Sequence, residues 1–254
     1  RFSEDGVKHL VRHILIPWWN AYSFFVTYAN IDGWTSEKMK GRKPSTHVLD
    51  RWIRSSMESL VADVTTAMDS YDLQRAVRPF VHFIDDLTNW YIRRSRRRFW
   101  KSTNDDDKAQ AYDTLNYVLL QLSKIAAPFV PFISEAIYRN LRTNDMPESV
   151  HLCDFPPADA ANRDPGLESQ MAGVMTVVQL GRLLRAEHDL KVRQPLSVLH
   201  VVSRDEAVRK EIEAFQDLVM DELNVKKIAF GQHDAELAIL KAKPDFKKLG
   251  PRLG

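Results

Sequence analysis

Between Leu73 and Tyr91 the apolar residues Leu73, Val77, Phe80, Ile84, Leu87 and Tyr91 recur at alternating steps of four and three. A backbone with 3.6 residues per turn gathers such positions into one narrow stripe, so the spacing predicts a helix that buries one face. A lone amphipathic helix has nothing to bury that face against, so partner helices are required. Continued at 100° per residue, the same helix runs through Asn89-Trp-Tyr-Ile-Arg-Arg-Ser-Arg-Arg-Arg-Phe-Trp100. Trp90, Arg94 and Arg97 then share a flank, while Arg93, Arg96 and Trp100 face outward. Arg98 returns to the stripe, so the core is expected to end before it. Pro79 lies inside the helix and is expected to kink it.

Similar periodicities flank this helix. Ser3 caps a first helix that carries Glu4 and Asp5 in its opening turn. Its apolar positions are Val7, Leu10, Val11, Ile14 and Leu15. Pro17 should kink it before Trp18, Trp19, Phe24, Phe25 and Tyr28, an aromatic stripe read as core, and Gly33 should stop it. A solvated basic loop follows, with Lys38, Lys40, Arg42 and Lys43. A second helix is expected from Ser45 or Thr46 to about Met68. The Leu73 helix is third, starting near Tyr71. Asp105, Asp106 and Asp107 open a fourth, with its seam at Tyr112, Leu115, Leu119, Leu122 and Ala126, and Pro128 ends it. Pro131 opens a fifth. Five such helices predict an antiparallel bundle over residues 1–145.

Composition then shifts. Residues 146–166 hold Pro147, Pro156, Pro157 and Pro165 and read as an irregular surface linker pinned by Val150, Leu152 and Phe155. Residues 167–254 read as a helix from Leu167 to Asp189, a strand from Leu196 to Val202, and a helix from Asp205 to Leu223. Strands at Val225–Phe230 and Leu237–Lys241 complete a small α+β unit. The fold class is therefore mainly α, a helix bundle followed by a small α+β domain.

The 36 basic and 34 acidic residues leave a net charge of only +2, so any polyanion site must be a local patch. No apolar run is long enough to cross a membrane. The single cysteine, Cys153, excludes an internal disulfide and reads as a packed side chain. It fits a reducing compartment, and the cytoplasm is expected. The opening residues carry no signal-peptide pattern, and both ends read as cut from a longer protein. Asp85 and Asp86 read as a solvated acidic pair without an acid–base role. Arg185, Lys191 and Arg193 suit the negative end of a helix dipole. No catalytic, cofactor or metal residues are predicted.

The arginine run carries the chemistry. Arg93 faces Arg97 and Arg94 faces Arg98 at i,i+4, where like charges repel, and no acid stands among them. A guanidinium fork matches phosphate and stacks on flat rings, and aromatic faces stack unpaired bases. Arg93, Arg94, Arg96, Arg97 and Arg98, with Trp90 and Trp100, are therefore the candidate RNA-binding residues. Trp90 also reads as packing whose indole edge supports Arg94, and Tyr91 as core. Asn20 is expected to reach backbone freed at Pro17.

Several strings, in order, resemble the isoleucyl-tRNA synthetases, and their eukaryote-like bacterial branch in particular. They are Pro17-Trp-Trp-Asn-Ala-Tyr-Ser-Phe-Phe-Val-Thr-Tyr-Ala29, Leu49-Asp-Arg-Trp-Ile53, the Asn89–Trp100 string and Ala127-Pro-Phe-Val-Pro-Phe-Ile-Ser-Glu135. Lys191-Val-Arg-Gln-Pro-Leu196, Glu222-Leu-Asn-Val-Lys226 and Leu249-Gly-Pro-Arg252 extend the match. The resemblance implies an anticodon-binding bundle with the start of a C-terminal junction region. It implies tRNA as partner and, upstream in the same polypeptide, an ATP-dependent domain that activates isoleucine, with an inserted editing domain. The His-x-Gly-His and Lys-Met-Ser-Lys-Ser motifs of that catalytic domain are absent from this sequence; Glu37-Lys-Met-Lys-Gly41 lacks both serines. The chain itself is thus expected to be non-catalytic and to hold no cofactor. Two other readings stand beside this one: a helical adaptor for an acidic protein, and the equivalent part of a valyl- or leucyl-tRNA synthetase.

Overall fold

A computed structural model describes residues 3–39, 41, 43–101 and 105–231, without the side chains of Lys101 and Asp105. The chain divides into two compact units, Arg1–Glu168 and Ser169–Gly254.

The first unit begins with α1 (Glu4–Leu10), where the Ser3 hydroxyl accepts from the Gly6 N–H at 3.1 Å. A π-helical turn, Val11–Leu15, joins it to α2 (Ile16–Ile31). In that turn the Ile16 N–H reaches back five residues to the Val11 carbonyl. Pro17 falls in the first turn of α2, where a missing N–H is tolerated, so the widened turn absorbs the irregularity expected at this proline. Helix α2 ends beside Gly33, whose φ of 60° is the left-handed conformation that glycine adopts without strain.

Helix α3 (Val48–Asp69) is capped by His47, whose Nδ1 accepts from the Leu49 N–H. Asp72 caps α4 (Leu73–Asp85), and a second π-helical segment, Asp86–Ile92, leads into α5 (Arg93–Lys101). Helix α6 (Asp105–Ala126) and α7 (Pro131–Leu141) complete the bundle. Helix α3 packs on α4 and α6, and α6 on α7. Short connections between packed neighbours give the antiparallel arrangement. Trp18, Ile53, Met57, Leu87, Tyr91, Leu115, Leu119 and Ile137 are fully buried between these helices. Leu73 and Val77, expected on the inner stripe, are exposed, as are Val7, Leu10 and Val11. Val77 borders a shallow apolar recess with Leu10, Ile14 and Phe129.

The proline-rich segment lies in the first unit and is tied down mainly by polar groups. Of the three apolar residues expected to pin it, only Val150 is buried; Leu152 and Phe155 are exposed. Glu135 accepts from the Val150 N–H at 2.9 Å, and buried Glu58 accepts from the Asp159 N–H at 2.7 Å. The Asp164 N–H donates to Ser55 Oγ at 2.7 Å, and Ser59 Oγ donates to the Glu168 carboxylate at 2.8 Å. A backbone with few apolar side chains satisfies its N–H groups this way instead of burying them in a sheet or helix.

Helix α8 (Pro165–Glu187) carries the division between the two units. In the second unit, β1 (Leu199–Val202) pairs in parallel with β2 (Ile228–Gly231), with Leu199 opposite Ile228. Helices α9 (Glu206–Glu213) and α10 (Gln216–Leu223) form the crossover that a parallel pair requires. The single helix predicted over Asp205–Leu223 is thus broken at Ala214 and Phe215. Gly181 lies so close to Leu223 that a Cβ there would overlap its side chain. Arg185 is buried and donates to the carbonyls of Lys191, Gln194 and Leu223 at 2.6–3.1 Å. It therefore ties the loop after α8 to the end of α10 rather than facing solvent. The expected strand at Leu237–Lys241 and the Leu249–Arg252 string lie outside the described residues.

Candidate nucleic-acid interface

The π segment Asp86–Ile92 decides which arginines face outward. A π turn takes more residues than an α turn, so the buried face lags behind a steady 100° step. It passes from Phe80, Ile84 and Leu87 through Trp90, Tyr91 and Ile92 to Ser95 and Phe99. The core therefore continues to the end of α5 instead of stopping before Arg98. Phe99 packs edge-on against Phe24 and Tyr112, with ring centres 5.1 and 4.9 Å apart.

Arg98, expected among the RNA-binding residues, is turned inward. Its two terminal nitrogens meet the Asp50 carboxylate at 2.7 and 2.8 Å, and it also binds Asp107 at 2.7 Å. Asp50 is fully buried and accepts two more hydrogen bonds, from Tyr91 Oη at 2.8 Å and Ser45 Oγ at 2.6 Å. Burial alone would lower the Arg98 pKa, but the hydrogen bonds it donates to Asp50 and Asp107 outweigh it and hold the pKa above the usual arginine value. Burial, then the Asp50 charge, pushes the Tyr91 hydroxyl well above its ordinary value. Burial and the nearby Arg98 cation lower the His47 pKa. The pair is thus a structural element, and the Arg94–Arg98 repulsion expected from the sequence is relieved from Arg98's inner side.

Trp90 is also buried, so it offers no open face for stacking. Its ring lies 5.7 Å from the guanidinium of Arg93. Arg93 Nε donates to the Asn89 carbonyl at 2.7 Å. Arg93 and Arg94 are half-buried. Arg96 and Arg97 are exposed, and among the described residues neither forms an ion pair. Trp100 is exposed as well, with the Arg96 guanidinium 5.8 Å from its ring and Tyr28 beneath it at 5.8 Å. Two exposed cations and an open indole therefore lie together at the tip of α5.

Beside this tip lies a recess of about 280 Å³ between α2 and the π segment. Asn20, Phe24, Asn89, Ile92 and Arg96 are among the residues that line it. Asn20, expected to reach backbone near Pro17, is exposed and has no hydrogen-bond partner among the described residues. The acidic pair next to the recess is not uniformly solvated. Asp85 is exposed and accepts from the Asn89 amide at 2.6 Å. Asp86 is half-buried, and burial, reinforced by the Asp85 charge, raises its pKa to about 7. Among the described residues no group of His, Cys, Asp and Glu is placed to hold a metal ion, and no helix is long and apolar enough to cross a membrane.

Residues 50–200 match the model of the anticodon-binding domain of tRNA ligase, and the chain belongs to this family. That domain bounds the class of the molecule: a helical module of a tRNA ligase. The whole chain aligns with an isoleucine–tRNA ligase of Protochlamydia amoebophila at 52% identity over 253 residues. It aligns with those of Treponema denticola at 45% and Chlamydia abortus at 44%. In each case the chain spans only 24% of the relative's length.

Proposed function

We propose that this chain is the tRNA-binding portion of an isoleucine–tRNA ligase and grips the anticodon stem and loop of isoleucine tRNA. The observation that carries this reading is the exposed cluster of Arg96, Arg97 and Trp100 at the tip of α5, on a domain of this family. Arg97 meets backbone phosphate. Arg96 and Trp100 form a cation–aromatic surface for an unstacked base. Arg93 and Arg94 add positive potential from the half-buried flank, while Arg98 and Trp90 act through the fold. Phosphate contacts set affinity and orientation, and base contacts set specificity. The activity proposed for the whole enzyme, joining isoleucine to tRNA with ATP in the cytoplasm, belongs to an upstream catalytic region of the same polypeptide.

Competition among purified tRNAs tests the reading. Isoleucine tRNA should displace labelled isoleucine tRNA from the chain at lower concentration than valine or leucine tRNA in filter binding at low salt. Polyglutamate should displace it only weakly. Full displacement by polyglutamate, with no difference among the tRNAs, would favour a docking surface for acidic proteins instead.

A further inference from the structure

Arg98 ties α5 to two other helices at once. Its terminal nitrogens meet the Asp50 carboxylate of α3 at 2.7 and 2.8 Å, and its Nε donates to the Asp107 carboxylate of α6 at 3.0 Å. Each Asp50 oxygen accepts two hydrogen bonds, one from Arg98 and one from Tyr91 or Ser45, which fills the carboxylate. Rotation of either side chain therefore breaks a bond. The next two residues of α5 are held as well. Phe99 is buried against Phe24 and Tyr112, and Trp100 lies 5.8 Å from Tyr28. On the other side Ser95 has no exposed surface. Arg96 and Arg97 stand exposed between these anchors, so the anchors set where their side chains leave the helix.

A buried ion pair adds little net stability, because desolvating both ions offsets most of their attraction. A planar fork gripped by two carboxylates supplies direction instead. We propose that Asp50, Arg98 and Asp107 are positioning residues for RNA binding, fixing the tip of α5 so that Arg96 and Arg97 reach phosphates already ordered. The proposal rests on the tRNA-binding reading above. Ordering a long side chain on binding costs affinity, and a tip fixed beforehand avoids that cost. By charge alone, a carboxylate beside such a face repels a polyanion. Asp107, partly exposed and ion-paired to Arg98, instead strengthens RNA binding by holding Arg98 in place.

Fluorescence anisotropy with the full chain and isoleucine tRNA at low salt tests this. Arg98→Lys keeps the charge and can still pair with Asp50, but a lysine ammonium has no fork to span both carboxylates. It should weaken binding about tenfold, the loss expected when two long side chains must be ordered on binding. Asp107→Asn should weaken binding about threefold, although it removes a negative charge. In the Arg96→Ala, Arg97→Ala background neither substitution should weaken binding further, because a positioning residue acts only through the groups it positions. A loss caused by general destabilisation would persist there. Unchanged or tighter binding by either Arg98→Lys or Asp107→Asn, with a loss in the double variant, would overturn the proposal and leave the RNA face standing. Losses that persist undiminished in the double-variant background would reduce these residues to a structural role and overturn it too. If the double variant binds as the unmodified chain does, the tRNA-binding reading fails and the positioning role with it. Circular dichroism checks folding. Should Arg98→Lys not fold, Asp107→Asn decides, since the Asp107 side chain is partly exposed.

Discussion

Replacing Asp50 with alanine is expected to destabilise the bundle by about 3–5 kcal/mol, read from urea denaturation at neutral pH. Asp50 has no exposed surface and bridges Arg98, Tyr91 and Ser45. Its removal strands a half-buried guanidinium, which keeps only Asp107, takes the acceptor from the Ser45 hydroxyl and leaves the Tyr91 hydroxyl only the Ala111 carbonyl at 3.5 Å. Desolvating both ions of such a pair offsets most of their attraction, so the whole pair need not add much net stability. The penalty comes from breaking it one-sidedly. The substitution that separates these effects is Asp107→Ala. Its carboxylate is partly exposed, so its loss should be felt far less, on the order of 1 kcal/mol. Equal effects from Asp50 and Asp107 would mean that Arg98 is not anchored in the core.

Asp86→Asn is expected to stabilise the protein at pH 8 and to change nothing near pH 3.5. The Asp86 carboxyl titrates at about 7 in the folded chain against 3.8 for the free side chain. The folded state therefore binds more protons between those values, and stability falls as pH rises from about 4 to 7. Above 7 the folded carboxylate is ionised and the full penalty remains. A shift of this size corresponds to at most about 4 kcal/mol, and residual solvent at a half-buried site reduces it to about 2 kcal/mol. Melting curves of both proteins across this range should diverge with increasing pH. A constant difference at every pH would assign the effect to packing and not to ionisation.

Much of the fold is legible in the residues. The Ser3 and Pro131 helix starts, the Gly33 stop and the apolar seams of α3 and α6 follow from local chemistry that tertiary packing does not override. The π segments are not legible. Nothing in Asp86–Ile92 announces an i→i+5 ladder, and a steady 100° step ends the buried face before Arg98, whereas it continues to Phe99. One clue to the buried pair does stand in the sequence. Asp50 lies on α3 beside Leu49 and within a turn of Ile53, both core positions, so a carboxylate there needs a cation. The helical spacing itself puts Arg98 on the stripe that faces the core. Joining the two removes Arg98 from the RNA site. The break between α9 and α10 leaves no comparable signal, since Ile212 and Val219 keep helical spacing across it.

The most direct test of the central claim is the salt dependence of isoleucine-tRNA binding by the unmodified chain and by the Arg96→Ala, Arg97→Ala double variant. Removing a cation that neutralises one phosphate should flatten the slope of log K against log salt concentration by about 0.7–0.9. The double variant should therefore bind more weakly at low salt and lose affinity less steeply as salt rises. Two lines of the same slope and the same height would contradict the account, because the exposed arginines at the tip of α5 would then not meet the RNA.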